Sequence, residues 1–589
     1  MADLDAILSR VSKPARYAGG EWNSVRKDWR QARVRLALAY PDVYEVGMSN
    51  FGLSILYEVV NRRAEFAAER VYAPWVDMEA ELRGAGVPLF SLESRRPLRD
   101  FDVIGFSLAY ELTYTNVLNM LDLGGVPLLA RERGDSDPLV IAGGTGAYNP
   151  EPLANFIDLF VVGDGEEALP ELLDLFAEAS RRGVAERPRF DRRALLRRAA
   201  ALPGLYVPSL YDVRYRADGT LAAVEPVAPD VPPVVTRRLA RPLPAATVRP
   251  VVPNLNTVHD RAAIEVMRGC PRGCRFCQAG HTYRPVRLRS REEILAAAAQ
   301  LLACTGYEEL SLLSLSTGDY PRIDELVRAI SAQHPDVNIS LPSLRIDSFS
   351  VALAESVQRR KTSLTFAPEA GTQRLRDVIN KQVTEEDLLR TVEAAYGAGW
   401  STVKLYFMIG LPTETLEDVE GIARLARETL AVGRRVAGRR AQLHVSVSTF
   451  VPKPHTPFQW CAQDDREQIG RKQQQLRTSM GRAIQLSWHD WESSHLEAAL
   501  SRGDRRLGAL ILRARQLGCR FDAWSEHFRP DVWRRAAAEL GIDLSFYAQR
   551  ERALAEVLPW AHVQSGAAPE YQRRQYECAL AARPAGGGR

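Results

Sequence analysis

Short apolar runs alternate with amphipathic stretches over roughly residues 33–180: RVRLALAY, NFGLSILYEVVNRR, FDVIGFSL, PLVIAGG, and IDLFVVG followed by EEALPELLDLFAEA. Apolar runs of strand length, spaced by stretches of helical periodicity, predict βαβ units and a parallel sheet covered by helices on both faces. Glycines and polar residues collect where these strands end, in YEVGMSN (44–50), GGTGAYNPEP (143–152) and GDGEE (163–167). Open α/β sheets bind ligands at such carboxyl ends. The fold class is α/β, and residues 1–180 are expected to form a flavodoxin- or Rossmann-like domain.

The pattern weakens over residues 181–255 into Arg- and Pro-rich text such as RRGVAERPRFDRRALLRR and APDVPPVV, which predicts a small subdomain and a linker. Alternation resumes over residues 256–485 with AAIEVMRG, ELSLLSL, NISLPS, SLTFAP, TVKLYFMIG and LHVSVSTF as strands. Ser290 and Glu293 have the spacing of a capping box at the start of the first helix between them. Six βα repeats are too few for the eight of a closed barrel, so a partial, open barrel is expected. Residues 486–589 read as a helical C-terminal region with a Gly-rich tail, ARPAGGGR.

Composition changes this picture little. A chain of 589 residues exceeds the roughly 250–300 that one core can serve. Lys+Arg exceed Asp+Glu only by 77 to 73, which excludes a whole-molecule field for nucleic acid. No uninterrupted apolar run reaches membrane-spanning length, and MADLDAILSRVSKPARY carries no apolar core behind a basic start, so a cytoplasmic protein is expected. The seven cysteines, none before Cys270, do not form the even framework of a disulfide scaffold. A reducing compartment leaves such thiols free for metal.

RGCPRGCRFCQAG places Cys270, Cys274 and Cys277 in a C-x3-C-x2-C loop directly after the first strand of the barrel region. Thiolates are the ligands that iron–sulfur clusters select, and three on one loop can each hold one iron of a cubane. The fourth iron then has no local ligand, which marks a site open to substrate or cofactor. Structural zinc would show a second cysteine pair or a His-x3-5-His, and neither follows. The remaining cysteines, Cys304, Cys461, Cys519 and Cys578, are too scattered for a second site.

This loop, with Phe276 just before its last cysteine, resembles the signature of the radical S-adenosylmethionine (SAM) superfamily, in which the loop follows the first strand of a partial (β/α)6 barrel. The resemblance implies a [4Fe–4S] cluster on Cys270, Cys274 and Cys277, and SAM chelated at the open iron. Reductive cleavage of SAM would then give methionine and a 5′-deoxyadenosyl radical. It also implies an electron donor such as flavodoxin or ferredoxin. Ser316, Thr317 and Gly318 in LSLSTGDY correspond to the family's glycine-rich segment beside the SAM amino group. Ser343, Arg345 and Glu369 end the next two strands, where an Arg can pair with the SAM carboxylate and a Glu can accept from ribose or ammonium, with ordinary surface ion pairs as the alternative. Lys404 precedes the fifth-strand segment YFMIGLPTET that resembles the stretch near adenine, and Phe450 and Val451 offer apolar contact for a purine or simply core packing.

The N-terminal text GGTGAYNPEPLANFIDLFVVGDGEEALPELL resembles the pattern of the cobalamin-binding domain that precedes many radical SAM barrels. The D-x-H-x-x-G motif that supplies a cobalt-ligating His is absent, so cobalamin is a candidate cofactor without that ligand. Asn50, Glu111, Asn116 and Thr145 are the candidate residues of a cobalamin or substrate pocket at these strand ends. PARYAGGEWNSVRKDW, PDVYEVGMSNFGLSILYEVVNRR, SHLEAALSRGD, FDAWSEHF and LPWAHV resemble an uncharacterised family of two-domain radical SAM proteins, which names no substrate. Three readings remain: a radical SAM enzyme with cobalamin-dependent methyl transfer or rearrangement; a methylthiotransferase-like enzyme modifying tRNA or a ribosomal protein, which would require N-terminal cysteines that are absent; and a non-catalytic iron–sulfur binding protein. The Arg-rich final helices read as a solvated face, with RNA contact as the alternative.

Overall fold

The structure is a computed structural model, which describes residues 4–180, 189–342, 346 and 363–581. Four apolar runs of the N-terminal third become the parallel strands β1 (Val34–Tyr40), β3 (Val103–Ser107), β4 (Leu139–Gly143) and β5 (Leu159–Val161), and β2 (Phe66–Tyr72), which the pattern missed because Glu69 and Arg70 interrupt it, joins them. Each is buried along nearly its whole length, as expected of strands with helices on both faces. Their order is β2-β1-β3-β4-β5, the flavodoxin-like arrangement, with the switch point between β1 and β3. A sixth strand, β6 (Leu205–Tyr206), adds antiparallel to β5. The Arg- and Pro-rich segment is thus built into this sheet as well as linking it onward. It continues into the hairpin of β7 (Tyr211–Tyr215) and β8 (Leu221–Pro226), and into β9 (Val235–Thr236).

The second unit is also parallel. β10 (Ala262–Glu265) carries the chain to a two-residue antiparallel ribbon, β11 (Met267–Arg268) with β12 (Arg287–Leu288). β13 (Glu309–Leu313) and β14 (Asn338–Ser340) join β10 in one sheet of order β10-β13-β14. A second sheet holds β15 (Ser363–Glu369), β16 (Thr402–Ile409), β17 (Gln442–Thr449) and β18 (Gln485–Trp488) in that order, all parallel. The six expected strands are present. β18 is a seventh that the pattern missed, because QLSW is short and only half-buried, with Leu486 and Trp488 the residues that pack onto the core.

Alternation along β16 fixes which face is which. Val403, Leu405, Phe407 and Ile409 are at most 1% exposed and pack with Leu388, Val392, Val419 and Ile422 of the covering helices Glu385–Gly397 and Leu416–Ala437. Lys404, Tyr406 and Met408 therefore point to the other, inner face. Both covering helices open with a capping box, on Thr384 with Asp387 and on Thr415 with Asp418.

The C-terminal helices are not an appendage. Leu507, Leu510 and Ile511 of the helix Leu507–Gln516 share one core with Val117, Leu118 and Leu121 of the N-terminal helix Tyr114–Leu123. β19 (Val563–Gln564) pairs in parallel with β9, and the final helix Pro569–Leu580 returns to the barrel. Among the described residues no helix is long and apolar enough to cross a membrane.

Two predictions follow from this packing. Leu405 is fully buried, so Leu405→Ala should cost about 2–5 kcal/mol in urea unfolding, the usual range for a truncated core leucine. His455, whose Nε2 donates to the Tyr148 carbonyl across the two units at 2.8 Å, and His562, against Glu151, are both pushed down to about 4 by burial. The unfolded chain takes up these protons near pH 6.5 and the folded chain only near pH 4. Each ring therefore withdraws roughly 3 kcal/mol as pH falls through that window. The melting temperature should drop steeply from pH 6.5 to 4, and His562→Gln should flatten the drop.

Candidate cluster loop and the cavity beside it

Between β11 and β12 the chain leaves regular structure for the cysteine loop, and the ribbon closes its two ends. Gly269 has φ +89°, and a Cβ there would meet the carbonyl oxygens of Tyr283 and Pro285 at 2.7 and 2.8 Å, so only glycine lets the loop turn away from the ribbon. Cys277 caps the short helix Gln278–Thr282, and its Sγ accepts from the Gly280 N–H at 3.4 Å. Burial, followed by the charges of Cys274, Cys270 and Glu369, pushes the Cys277 thiol up to about 11, against the Gly280 N–H, which favours the thiolate.

An excursion this irregular exposes carbonyls that no ladder satisfies, and arginines satisfy them. Arg275 is fully buried; its Nη1 donates to the Asp377 and Val378 carbonyls at 3.0 and 2.7 Å, and its Nε to Gln575 Oε1 at 3.1 Å on the final helix. Its own N–H donates to the Ile379 carbonyl at 2.9 Å. Arg284 donates to the carbonyls of Gly280, at 3.0 Å, and of Arg272. Arg237 donates to those of Thr282 and Arg284. Arg272 pairs with Asp319 at the end of β13, and His281, fully buried, bonds through Nε2 to the Cys274 carbonyl at 3.3 Å. Tyr571 of the final helix lies against His281, ring centroids 6.3 Å apart.

Three thiols on a clamped loop fit a [4Fe–4S] cluster. Among the described residues no three His, Cys, Asp or Glu side chains converge to hold a single ion. Cys270, Cys274 and Cys277 would hold the cluster.

The strand-end residues are only partly assembled as expected. Glu369 is paired with Lys381 at 3.1 Å. It sits in the left-handed region at φ +68°, where the β15–β16 register shifts between Phe366 and Glu369. Strain at a strand end of this kind is characteristic of functional positions. Ser316 and Thr317 are buried: Ser316 Oγ donates to Asp319 at 2.6 Å and Thr317 bonds to Ser314 at 2.9 Å. Their hydroxyls are used within the turn, as are the Ser316 and Thr317 carbonyls, which accept from Asp319 and Tyr320 N–H at 3.0 and 3.1 Å. Ser343 and Arg345 lie outside the described residues. Phe450 is a correction: it is 2% exposed and packs edge-on against Phe458, so it belongs to the core and does not face a purine. Val451 is half-buried against the N-terminal core. Lys404 lies lower on its strand than Glu369 does on the neighbouring one. Glu369 aligns with Phe407, three residues beyond Lys404, which sets Lys404 about 10 Å nearer the amino end of the barrel.

A cavity of about 380 Å³ opens between the two units. One wall is the switch point of the flavodoxin-like sheet, with Leu38, Gly105, Phe106 and Ser107, extended by Gly143, Gly144, Gly163 and Gly165. The other is Glu265, Met267, Arg268, Gly269, Tyr283 and Leu313–Leu315 of the barrel. Gly269 adjoins Cys270, so the cavity reaches the cluster loop. Arg268 fastens the junction with Glu166 at 2.7 Å, Glu265 at 2.8 Å and Asp164 at 3.2 Å. Burial opposes ionisation of Asp164, but Arg268 and Arg287 hold it below the usual carboxylate range.

The four polar candidates for this pocket take other positions. Asn50 caps the helix Phe51–Asn61, accepting from Leu53 N–H at 2.8 Å, and so sets the wall that Phe51 and Gly52 form without joining it. Thr145 bonds to the Tyr283 hydroxyl from behind the wall. Glu111 is buried in an ion triad with Lys453 at 2.9 Å, which also meets Glu497 at 2.8 Å. Asn116 is 2% exposed and ties the Pro41 carbonyl to the Phe521 N–H, both at 2.8 Å. Glu111 and Asn116 are polar because they join units. The residues that sequence reasoning passed over are Arg268, Arg272, Arg275, Tyr283 and Asp319. The arginines flanking and within RGCPRGCRF were the available signal.

A flavodoxin-like module whose ligand edge opens onto a three-cysteine loop in a partial barrel defines a two-module, cluster-dependent enzyme. Residues 264–426 match the radical SAM superfamily and residues 52–208 the N-terminal domain of radical SAM proteins, and the chain belongs to that superfamily, whose cofactors are a [4Fe–4S] cluster and SAM. It is 26% identical to the uncharacterized protein MJ0966 of Methanocaldococcus jannaschii over 81% of this chain and 90% of that one. It is also 26% identical to the ribosomal protein uS12 methylthiotransferase RimO of Acaryochloris marina, over 37% of this chain and 48% of that protein. Among solved structures, the radical SAM methyltransferase TsrM from Kitasatospora setae, with cobalamin and a [4Fe–4S] cluster bound, aligns with a TM-score of 0.49 at 17% identity, covering 73% of this chain and 77% of that one.

The clamp makes a testable demand. Cys274→Ala should abolish the iron–sulfur absorbance after anaerobic reconstitution. Arg275→Met leaves the buried Val378 carbonyl without its guanidinium donor, at about 1–3 kcal/mol, so it should lower iron content per chain while the far-ultraviolet circular dichroism stays unchanged.

Proposed function

We propose that this radical SAM enzyme is corrinoid-dependent and that methyl transfer is its reaction class. The observation that carries the reading is the cavity at the β1/β3 switch point, which adjoins the cluster loop through Gly269. Seven glycines stand in its wall (Gly52, Gly105, Gly143, Gly144, Gly163, Gly165, Gly269) among aliphatic side chains, a surface of bare backbone and methyl groups suited to the face of a broad ring. No histidine lines it, in keeping with the missing D-x-H-x-x-G motif.

When bound, a [4Fe–4S] cluster supplies the electron that cleaves SAM, and a corrinoid supplies a methyl carrier. The chain's own residues bind and orient these groups. Cys270, Cys274 and Cys277 would provide the thiolates, and Arg268, Gly269 and Tyr283 form the part of the cavity wall that adjoins the cluster loop. The final helix, through Tyr571 and Gln575, covers the loop from outside and limits water. An electron donor such as flavodoxin or ferredoxin would complete the cycle. The methylthiotransferase reading is less well supported, since residues 1–269 contain no cysteine for a second cluster.

Anaerobic purification with a visible spectrum and cofactor extraction tests this. Iron–sulfur absorbance together with corrinoid bands, and release of 5′-deoxyadenosine on reduction with SAM, are expected. Iron–sulfur absorbance alone, after growth with added cobalamin, would remove the corrinoid from the reading and leave the radical SAM half standing.

A further inference from the structure

A second cavity lies among the C-terminal helices. It encloses about 470 Å³, the scale of a small-molecule site, and shares no wall residue with the cavity at the switch point. Its walls come from the helices Trp491–Ser501 and Pro530–Leu540 and from the start of the helix Leu544–Ala548, with the exposed Arg466 at the mouth.

Trp491 and His495 stand one helical turn apart, and their rings stack, with centroids 4.6 Å apart and planes 12° from parallel. The indole N–H groups in the wall are already used. Trp491 Nε1 donates to the Asp464 carbonyl at 3.2 Å, and Trp533 Nε1 to Asp522 at 2.9 Å. His495 is different. It is only 8% exposed, and its Nδ1 is buried with no hydrogen-bond partner among the described residues. A buried polar atom left unpaired is costly, and folded proteins keep few of them. Burial lowers the pKa of this ring, against the opposing pull of Glu492 and Asp543. At neutral pH it is therefore an uncharged imidazole with one donor and one acceptor.

The mouth carries charge of both signs. Glu492 accepts from Arg466 at 3.0 Å and from Arg534 at 2.8 Å, which ties three helices together, and Asp543 caps the helix Leu544–Ala548. Two guanidinium groups against two carboxylates leave no net charge to favour an ion.

We propose that this cavity binds an uncharged heteroaromatic molecule of the nucleoside class, with the edge of its base hydrogen-bonded to His495. A flat ring in the plane of the imidazole meets it edge to edge and runs parallel to the Trp491 indole, so stacking and hydrogen bonding act together. A base edge with a donor beside an acceptor satisfies His495 in either tautomer, which a ring with a lone N–H does not. Glu492 and Asp543 at the mouth are acceptors for sugar hydroxyls. The site stands whether or not the corrinoid reading does.

Equilibrium dialysis of the reconstituted full chain against labelled cytidine and labelled guanosine, neither of which shares the adenine of SAM, measures the site directly. Saturable binding of one equivalent of at least one of them is expected, with indole binding at least tenfold more weakly. His495→Phe keeps a ring against Trp491 and removes the nitrogens, and it should weaken nucleoside binding at least tenfold. Ala538→Trp, at an exposed position of the cavity wall, fills the space from outside the core and should abolish binding. Both variants should keep the iron content and melting temperature of the wild type, which separates loss of the site from loss of the fold. No saturable binding of either nucleoside, indole binding as tightly as they do, or unchanged binding in both variants overturns the proposal. Release of 5′-deoxyadenosine from the same preparations reports separately on the radical reading, so the two can fail independently.

Discussion

The constraint on which this molecule depends is that a loop able to present three thiolates cannot be regular structure. Between Arg268 and Arg287 the chain must turn its sulfurs toward one point, which leaves its carbonyls without ladder partners. Guanidinium groups answer both halves of the problem. Their forked donors fill the loop's carbonyls, Arg284 at those of Gly280 and Arg272, and Arg237 at those of Thr282 and Arg284, while Arg275 reaches out of the loop to the last carbonyls of the helix Gln373–Val378. The clamp is drawn from three separate parts of the fold. Asp319 ends β13, the 377–379 carbonyls follow β15, and Gln575 lies on the final helix. The loop is therefore placed only when the whole chain is folded, which explains why the last helix returns to the barrel.

Arginine performs the same service between the two units. Arg268 is the last residue before the Gly269–Cys270 turn, and its three carboxylates come from both units: Glu265 from the barrel, Asp164 and Glu166 from the flavodoxin-like sheet. Gly163 and Gly165, beside those acids, line the cavity. A change in how the cavity is filled thus has a short physical route to the cysteine loop, through one buried ion cluster. Buried pairs of this kind contribute little net stability against apolar substitutes, and what they provide is a fixed registration of one unit on the other.

Much of the architecture was legible because burial on both faces writes itself as continuous apolar text. RVRLALAY, FDVIGFSL and PLVIAGG became β1, β3 and β4, and the glycines at 143–144 and 163–165 reached the cavity as their places at strand ends implied. Cys270, Cys274 and Cys277 were legible as well, since a metal loop is local in sequence. What failed to show was long-range. Glu111 and Asn116 look like pocket residues in the text, but their partners, Lys453 and Phe521, are more than 300 positions away. Phe450 read as a ring contact because nothing local announces Phe458 as its neighbour. Arg275 and Arg272 sat in plain view inside the motif, yet their roles depend on carbonyls and carboxylates contributed by distant strands.

The two faces of the barrel sheet show how one backbone serves stability and chemistry at once. Period-two alternation sends Val403, Leu405 and Phe407 to the covering helices, where nearly complete burial holds the sheet. The same alternation releases Lys404, Tyr406 and Met408 from any packing duty toward those helices. Radical chemistry needs a lumen that excludes bulk water, and a polar lumen tends to admit it. Phe276, Met408 and the final helix, through Tyr576 and Ala579, pack into one apolar cluster, so the end of the barrel nearest the cysteines is the dry one.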